Sequence, residues 1–324
     1  MKYFDHRVIK TALGTFIAVS LASFLGLSYG ITAGIVAIIS IQGTKMESLK
    51  VALERLIASI VGLFIAVILF YFFGYSPLIF SIFVLIFMPV CLKFNLFQGF
   101  LATVVLATHV VAEQNISFKI IFNEVLILVL GALTAIILNL YMPDKSKKVI
   151  DVKNNIDLMM KKILNYMGEE LITGSIFIDE EKIFKELKKD LDIARDLAFY
   201  EYNNSLFYSS RYMIELFNMK RAQYKVLTRM RKHFYRLTVS VEYSGLLADF
   251  TKKLGDSIGV ENLYKEVLKE LETLREKFRN MSLPSTRGEF ENRAILYQFL
   301  NDVEEFIEIK EDFLKKYTFD GIKK

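Results

Sequence analysis

Apolar residues run without a single Asp, Glu, Lys or Arg over residues 11–44, 56–92, 94–112 and 125–143. A helix rises about 1.5 Å per residue, so the two longest runs would reach about 50–55 Å as single rods. A hydrocarbon core of about 30 Å needs only about 20 residues. Each long run therefore folds back once, and each short run crosses once. Turn chemistry sits where the folding back is needed: Ser28-Tyr29-Gly30 interrupts the first run and Gly74-Tyr75-Ser76-Pro77 the second. The pattern predicts six spans in residues 1–143, the second of them short.

From Lys145 onward the apolar period changes to that of water-exposed helices. Val149, Val152, Ile156, Met159, Ile163 and Met167 step by three or four residues until Thr173-Gly174-Ser175 stops them. Asp179 is placed to cap a second helix carrying Ile183, Leu187, Leu191 and Ala194. A third runs from about Ser210 into the 240s, with a break at Gly245. A fourth carries Leu263, Val267, Leu271, Leu274, Phe278 and Met281. Thr286 and Glu289 have capping-box spacing ahead of a fifth with Phe299, Val303, Phe306 and Phe313. The fold class is all-α: a six-helix transmembrane bundle over 1–143, then a cytosolic long-helix bundle over 144–324.

Charge supports this division. Residues 1–143 hold eight basic and five acidic side chains, and the remainder holds 33 and 31. With the N-terminus in the cytosol, the inner segments carry Lys2, Arg7, Lys10, Lys45, Lys50, Arg55, Lys93, Lys145, Lys147 and Lys148, and the outer segments only Lys119. This bias places both termini in the cytosol of a multi-pass cell-membrane protein. Within the second half, basic residues crowd 211–236 and acidic ones 301–312. Two readings compete: a basic face for anionic lipid or nucleic acid, and two neighbouring helices whose charges offset each other. The second is preferred, and a nucleic-acid partner is not expected.

The chemistry of an enzyme is not legible. The sequence has no phosphate-binding glycine loop, no dinucleotide fingerprint and no metal-ligand spacing. Its only cysteine, Cys91, lies in an apolar run. No catalytic residue, cofactor or metal is expected. Polar groups near the bilayer are the remaining functional signal, because they are costly there and often line pathways. The densest set is Gln42-Gly43-Thr44-Lys45-Met46-Glu47-Ser48, followed by Lys50, Glu54 and Arg55. A bland reading serves equally: a cap, an i,i+4 ion pair and inner topology anchors. Near the outer edge, His109 and Glu113 are four apart on one helical face, and Glu124 opens the last span. These three could relay a proton, since imidazole titrates near neutral pH. Asn95, Gln98 and Asn139 are weaker candidates.

The stretch Gln42-Gly43-Thr44-Lys45-x-Glu47-Ser48, with Arg55 and Gly62 in Glu54-Arg55-Leu56-Ile57-Ala58-Ser59-Ile60-Val61-Gly62, resembles the bacterial aromatic acid exporter family, related to the fusaric-acid resistance proteins. Phe217-Asn218-Met219-Lys220-x-x-Gln223 extends the likeness into the second half. The resemblance implies a six-span membrane domain, a helical cytosolic domain and export of aromatic carboxylates driven by the proton motive force. On that footing Lys45, Arg55, Thr44, Glu47 and Glu54 are the candidate anion-binding residues, with Lys45 and Arg55 on consecutive spans facing one opening. An arginine can hold a carboxylate through two parallel bonds, and a helix beginning near Thr44 would add backbone donors. His109, Glu113 and Glu124 are the candidate proton-coupling residues. Expected partners are the lipid bilayer, a small organic anion and further copies of the chain. The rival readings are a membrane-anchored scaffold or regulatory protein and a passive channel.

Overall fold

The computed structural model describes residues 6–174, 180–205, 211–237, 244–259 and 264–319. The described residues are helical or in turns and loops; none lies in a strand. The chain divides into two compact units, Met1–Pro143 with Asn203–Ser209, and Asp144–Tyr202 with Ser210–Lys324.

In the first unit the two long apolar runs fold back where turn chemistry predicts. Helix α1 (His6–Phe24) and α2 (Ile31–Ser40) flank the first turn, and α3 (Lys45–Phe73) and α4 (Pro77–Lys93) the second. Gly74 ends α3 with φ 79°, a left-handed region that glycine reaches without a Cβ clash. Ser76 caps α4 by accepting the Ile79 amide, with Pro77 at the first helical position. Helices α5 (Phe97–Glu113) and α6 (Phe118–Leu140) complete the unit.

Three of these helices, α1, α3 and α6, are long and apolar enough to cross a bilayer; α2, α4 and α5 are shorter and apolar. The ten residues of α2 reach about 15 Å, half the hydrocarbon thickness. Large apolar side chains such as Phe16, Phe24, Phe64, Phe72 and Leu85 point outward, as the surface of a lipid-embedded bundle requires.

Helix α3 packs most extensively on α5, and α2 on α6. Small residues make these crossings close, because van der Waals fit replaces the hydrophobic effect inside lipid. A Cβ on Gly99 would stand 2.4 Å from the Ala58 Cβ and 2.9 Å from the Arg55 Cα. One on Gly131 would stand 2.6 Å from the Ala33 carbonyl oxygen. The Gly14, Ala18, Ala22 stripe of α1 is used in the same way, whereas Gly26 lies past the end of the helix with nothing near its Cβ position. Ala18 and Ala22 are fully buried within the chain, and a Cβ on Gly14 would meet Ile41 and Leu138 at 3.0 Å.

The second unit consists of α7 (Ser146–Thr173), α8 (Glu180–Asn204), α9 (Tyr212–Phe234), α10 (Ser244–Asp256), α11 (Tyr264–Arg279) and α12 (Arg287–Phe319). The expected stripes form its core, including Ile156, Met159, Ile163, Leu187, Leu191, Phe299, Val303 and Phe306. Gly174 ends α7 at φ 67° as the pattern predicts. The Asp179 cap lies outside the described residues.

One boundary differs from expectation. The third helix ends at Phe234, and Gly245 sits at the start of a separate helix rather than breaking a long one. The apolar period continued through this region, but tertiary packing divides it. Helix α10 lies against α7, where Gly168 and Gly255 bring the backbones together: a Cβ on Gly168 would be 3.0 Å from the Ala248 carbonyl oxygen. At α12 the capping box is shifted by one residue. Thr286 accepts the Glu289 amide, and Glu289 in turn accepts most directly from the amide of Ser285.

The basic and acidic helices offset each other. Arg229 of α9 binds Asp302 at 2.6 Å and also Glu305, both on α12, and His233 meets Asp302 at 2.8 Å. Elsewhere on α9, Lys220 pairs with Asp157, Arg221 with Asp192 and Arg231 with Glu180. Burial pushes the Lys220 ammonium below the ordinary lysine range, and Asp157 opposes that shift. Four basic residues of this stretch are thus engaged by acids of neighbouring helices, with Lys220 buried.

Gly99→Ala tests the close crossing. Its new methyl would meet backbone atoms that cannot swing away, so thermal unfolding of the detergent-solubilised chain should show a loss of about 1–3 kcal/mol. Gly288, in α12, has open space around its Cβ position, and Gly288→Ala should be neutral or stabilising by up to about 1 kcal/mol.

Candidate functional site

Polar side chains gather at two ends of the first unit. One group surrounds the start of α3. Thr44 has extended backbone angles and its hydroxyl accepts the Glu47 amide at 3.4 Å. The Lys45 amide donates to the Asn204 side chain at 2.9 Å, within the same unit. These first-turn donors are therefore used by the protein itself. Between α2 and α3, the Gln42 amide donates to the Ser48 hydroxyl, and Asn139 donates to the Gln42 carbonyl at 3.0 Å. Arg7 reaches the Ile41 carbonyl at 3.3 Å. The break in the helix is thus tied down by side chains from α1, α3 and α6.

Lys45 and Arg55 do not end consecutive spans. Both belong to α3, ten positions and about 15 Å apart along the axis. Ten steps of about 100° put them on different faces. Lys45 is half-buried at the helix start, and Glu47 and Lys50 are exposed. Glu54 is half-buried and pairs with Lys50 at 3.8 Å.

Arg55 is the exception: only 3% of it is exposed. Its Nε donates to the Gln98 carbonyl at 3.1 Å and its Nη1 to the Ser40 hydroxyl at 2.5 Å. No carboxylate lies within ion-pair distance of it among the described residues. A guanidinium has five N–H donors, so two neutral acceptors leave it far from saturated. One turn further along, Ser59 and Thr103 share a buried hydroxyl bond at 2.8 Å across the α3–α5 crossing. A cavity of about 410 Å³ opens beside this region, lined by Lys50, Glu54, Cys91, Asn95, Phe97 and Gln98. Asn95 and Gln98 thus belong to it, and Asn139 to the α2–α3 break.

The second group lies toward the other end of α5. Gln98 and His109 are eleven residues apart on that helix, about 17 Å. The sequence pairs His109 with Glu113; the structure pairs it with Glu124 of α6, Nδ1 to Oε2 at 2.7 Å. Both are buried, with Glu124 only 1% exposed. The other Glu124 oxygen accepts from Asn123 at 3.0 Å, and His109 Nε2 faces the Thr32 hydroxyl at 3.3 Å. Glu113 instead accepts from the Tyr29 hydroxyl at 3.0 Å. The Tyr29 ring stacks on His109, with centroids 4.2 Å apart and planes 6° from parallel. Spacing could not show this, because Thr32–His109 and Tyr29–Glu113 are 77 and 84 residues apart, and His109 and Glu124 lie 15 apart on different helices. Ser40, Thr32, Tyr29 and Asn123 were not singled out by sequence; Tyr29 registered only as part of a turn.

An all-helical bundle with an apolar outer surface and buried ionisable groups defines a membrane protein of transport type. Comparison with known proteins names the class. Residues 2–142 match the family model "Aromatic acid exporter family member 1", and residues 146–311 match "Putative aromatic acid exporter C-terminal domain". The chain belongs to the aromatic acid exporter family. It is 29% identical over 308 residues to YqjA of Bacillus subtilis (strain 168), spanning 95% of each chain. It is also 32% identical over 200 residues to a UPF0421 protein of Staphylococcus epidermidis (strain ATCC 12228), covering 58% of this chain and 59% of that one. UPF0421 protein YgaE of Bacillus subtilis is 29% identical over 189 residues, 53% of its length.

The buried pair is open to a double-mutant test. Glu124→Leu leaves the His109 and Asn123 donors without their acceptor and should cost about 1–3 kcal/mol in thermal unfolding. His109→Leu combined with Glu124→Leu should cost less than the sum of the two single changes, because each removes the same contact.

Proposed function

We propose that this chain exports small aromatic carboxylates, or organic anions like them, across the cell membrane at the expense of the proton motive force. In this reading all six apolar helices span the bilayer, short α2 included, and both ends of the chain lie in the cytosol. The Arg55 end is then cytosolic and the His109 end external. The observation that carries the reading is Arg55: a buried guanidinium whose hydrogen-bond acceptors are both neutral and which has no carboxylate within ion-pair distance among the described residues. A permanent charge in such a place is costly, and an anionic substrate is the partner that would satisfy it. The neighbouring cavity, with Lys50, Asn95, Phe97 and Gln98 on its wall, offers an approach for an aromatic ring bearing a carboxylate. Lys45, Thr44 and Glu47 shape the entrance, with Thr44 serving α3 as its cap, and Glu54 holds Lys50. His109 and Glu124, with Glu113 beside them, carry the proton. The family supports export as such; substrate and driving force are this proposal's own.

Topology is checked by cysteine labelling of whole cells in a Cys91→Ser background. Asn115→Cys should react with a membrane-impermeant maleimide, and Lys147→Cys only after permeabilisation. Asn115 is the better external site because it is exposed, whereas Ser117 caps α6. Labelling of Lys147→Cys in intact cells would remove the six-span topology.

Transport is checked with a panel of aromatic carboxylates beginning with benzoate. Arg55→Gln should abolish the efflux that the chain confers while membrane abundance stays normal. Arg55→Lys should recover little of it, since an ammonium cannot form the planar two-bond grip. Full efflux in the Arg55→Gln variant would eliminate the site.

A further inference from the structure

The α1–α2 turn is held by the same side chains that surround the buried His109–Glu124 pair. Tyr29 has φ 59°, a left-handed backbone that a bulky residue rarely adopts, so its surroundings must hold it there. Three attachments do so. Its ring lies flat on His109, its hydroxyl donates to Glu113, and its neighbour Ser28 is gripped on both backbone atoms by Asn123. The Ser28 amide donates to Asn123 Oδ1 at 2.9 Å, and Asn123 Nδ2 donates to the Ser28 carbonyl at 3.1 Å. Asn123 also donates to Glu124. A turn of the chain is thereby strapped to α5 and α6 through the ionisable cluster itself.

We propose that this turn is the external gate of the export path, with Tyr29 as its positioning residue, and that a proton on His109 latches it shut. The proposal rests on the exporter reading above. The groups around the imidazole are Glu124 from α6, the Tyr29 ring with Glu113 bonded to its hydroxyl, and the neutral Thr32 hydroxyl from α2. An imidazolium gains the Glu124 carboxylate whether or not the turn is seated. It gains the π face of Tyr29, and the ordered Glu113 behind it, only when the turn is down. By linkage, a proton that binds the closed form better must favour closure. The sign suits an antiporter: after the anion leaves outward, an external proton loads His109 and shuts the gate. The positively disposed Lys119 on the first turn of α6 forms no ion pair with the cluster among the described residues.

The gate is read by the reactivity of a residue beneath it. Thr32 is 6% exposed and touches His109. In a Cys91→Ser background, Thr32→Cys is labelled in intact cells with an impermeant maleimide at external pH 8 and pH 5.5. Each rate is divided by that of the exposed Asn115→Cys at the same pH, which removes the common fall in thiolate, and the same Thr32→Cys in a Tyr29→Ala chain reports any ionisation peculiar to the buried position. With Tyr29 present, the normalised rate should fall about tenfold in acid, the size of an ordinary coupling between two sites. Tyr29→Ala should label fast at both pH values. Tyr29→Phe, which keeps the stack and loses only the hydroxyl bond, should retain part of the acid protection, and His109→Gln should lose all pH dependence. Equal or faster normalised labelling in acid overturns the proposal, as does acid protection that survives Tyr29→Ala. The assay needs no substrate, so absent efflux in the benzoate panel with an intact latch would count against the function alone.

Discussion

The crossing of α3 and α5 at Gly99 is the contact on which the rest of the membrane unit depends. With no Cβ at that position, Ala58 and the Arg55 backbone come to within direct contact of α5. That approach brings the Gln98 carbonyl to the Arg55 Nε and leaves the guanidinium buried beside Ser40 at the end of α2. Three helices are joined through one charged group. In lipid no water can replace those bonds, so the arrangement is held by the cost of leaving any of them unmade.

The same scarcity of partners organises the opposite end. Glu124 is buried with two donors on its two oxygens, and His109 is placed between that carboxylate and the Tyr29 ring. The polar groups of this unit are therefore concentrated in a few clusters rather than dispersed, and the surface between them is apolar. Arg55 differs: its hydrogen bonds go to neutral acceptors, the Gln98 carbonyl and the Ser40 hydroxyl.

The second unit obeys different economics. Its buried charged groups meet in the His233–Asp302 and Lys220–Asp157 contacts, and Arg229, itself exposed, reaches Asp302 from the surface. Such pairs favour one registration of α9 against α12 and α7, because a shift of one residue would leave buried charges alone. Registry, more than raw stability, is what they supply.

Much of this was legible in the sequence, for reasons that are local. Charge-free runs, the turns at Ser28–Gly30 and Gly74–Pro77, and the stripes of the second unit follow from chain length, turn chemistry and helical period, which neighbouring residues fix among themselves. The motif around Thr44, Lys45 and Arg55 was visible too, and Thr44 acts as the cap its spacing implied. What the tertiary structure decided were the pairings between distant residues. His109 chose Glu124 over the nearer Glu113, Tyr29 became a ring on His109 rather than a mere turn residue, and the small-residue stripe of α1 packed inside the chain. The sequence could not separate Lys45 from Arg55, because charge alone reads the same on an exposed first turn and in a buried crossing. Which face of α3 meets α5 is set by where Gly99 allows close approach, and that depends on residues more than forty positions away.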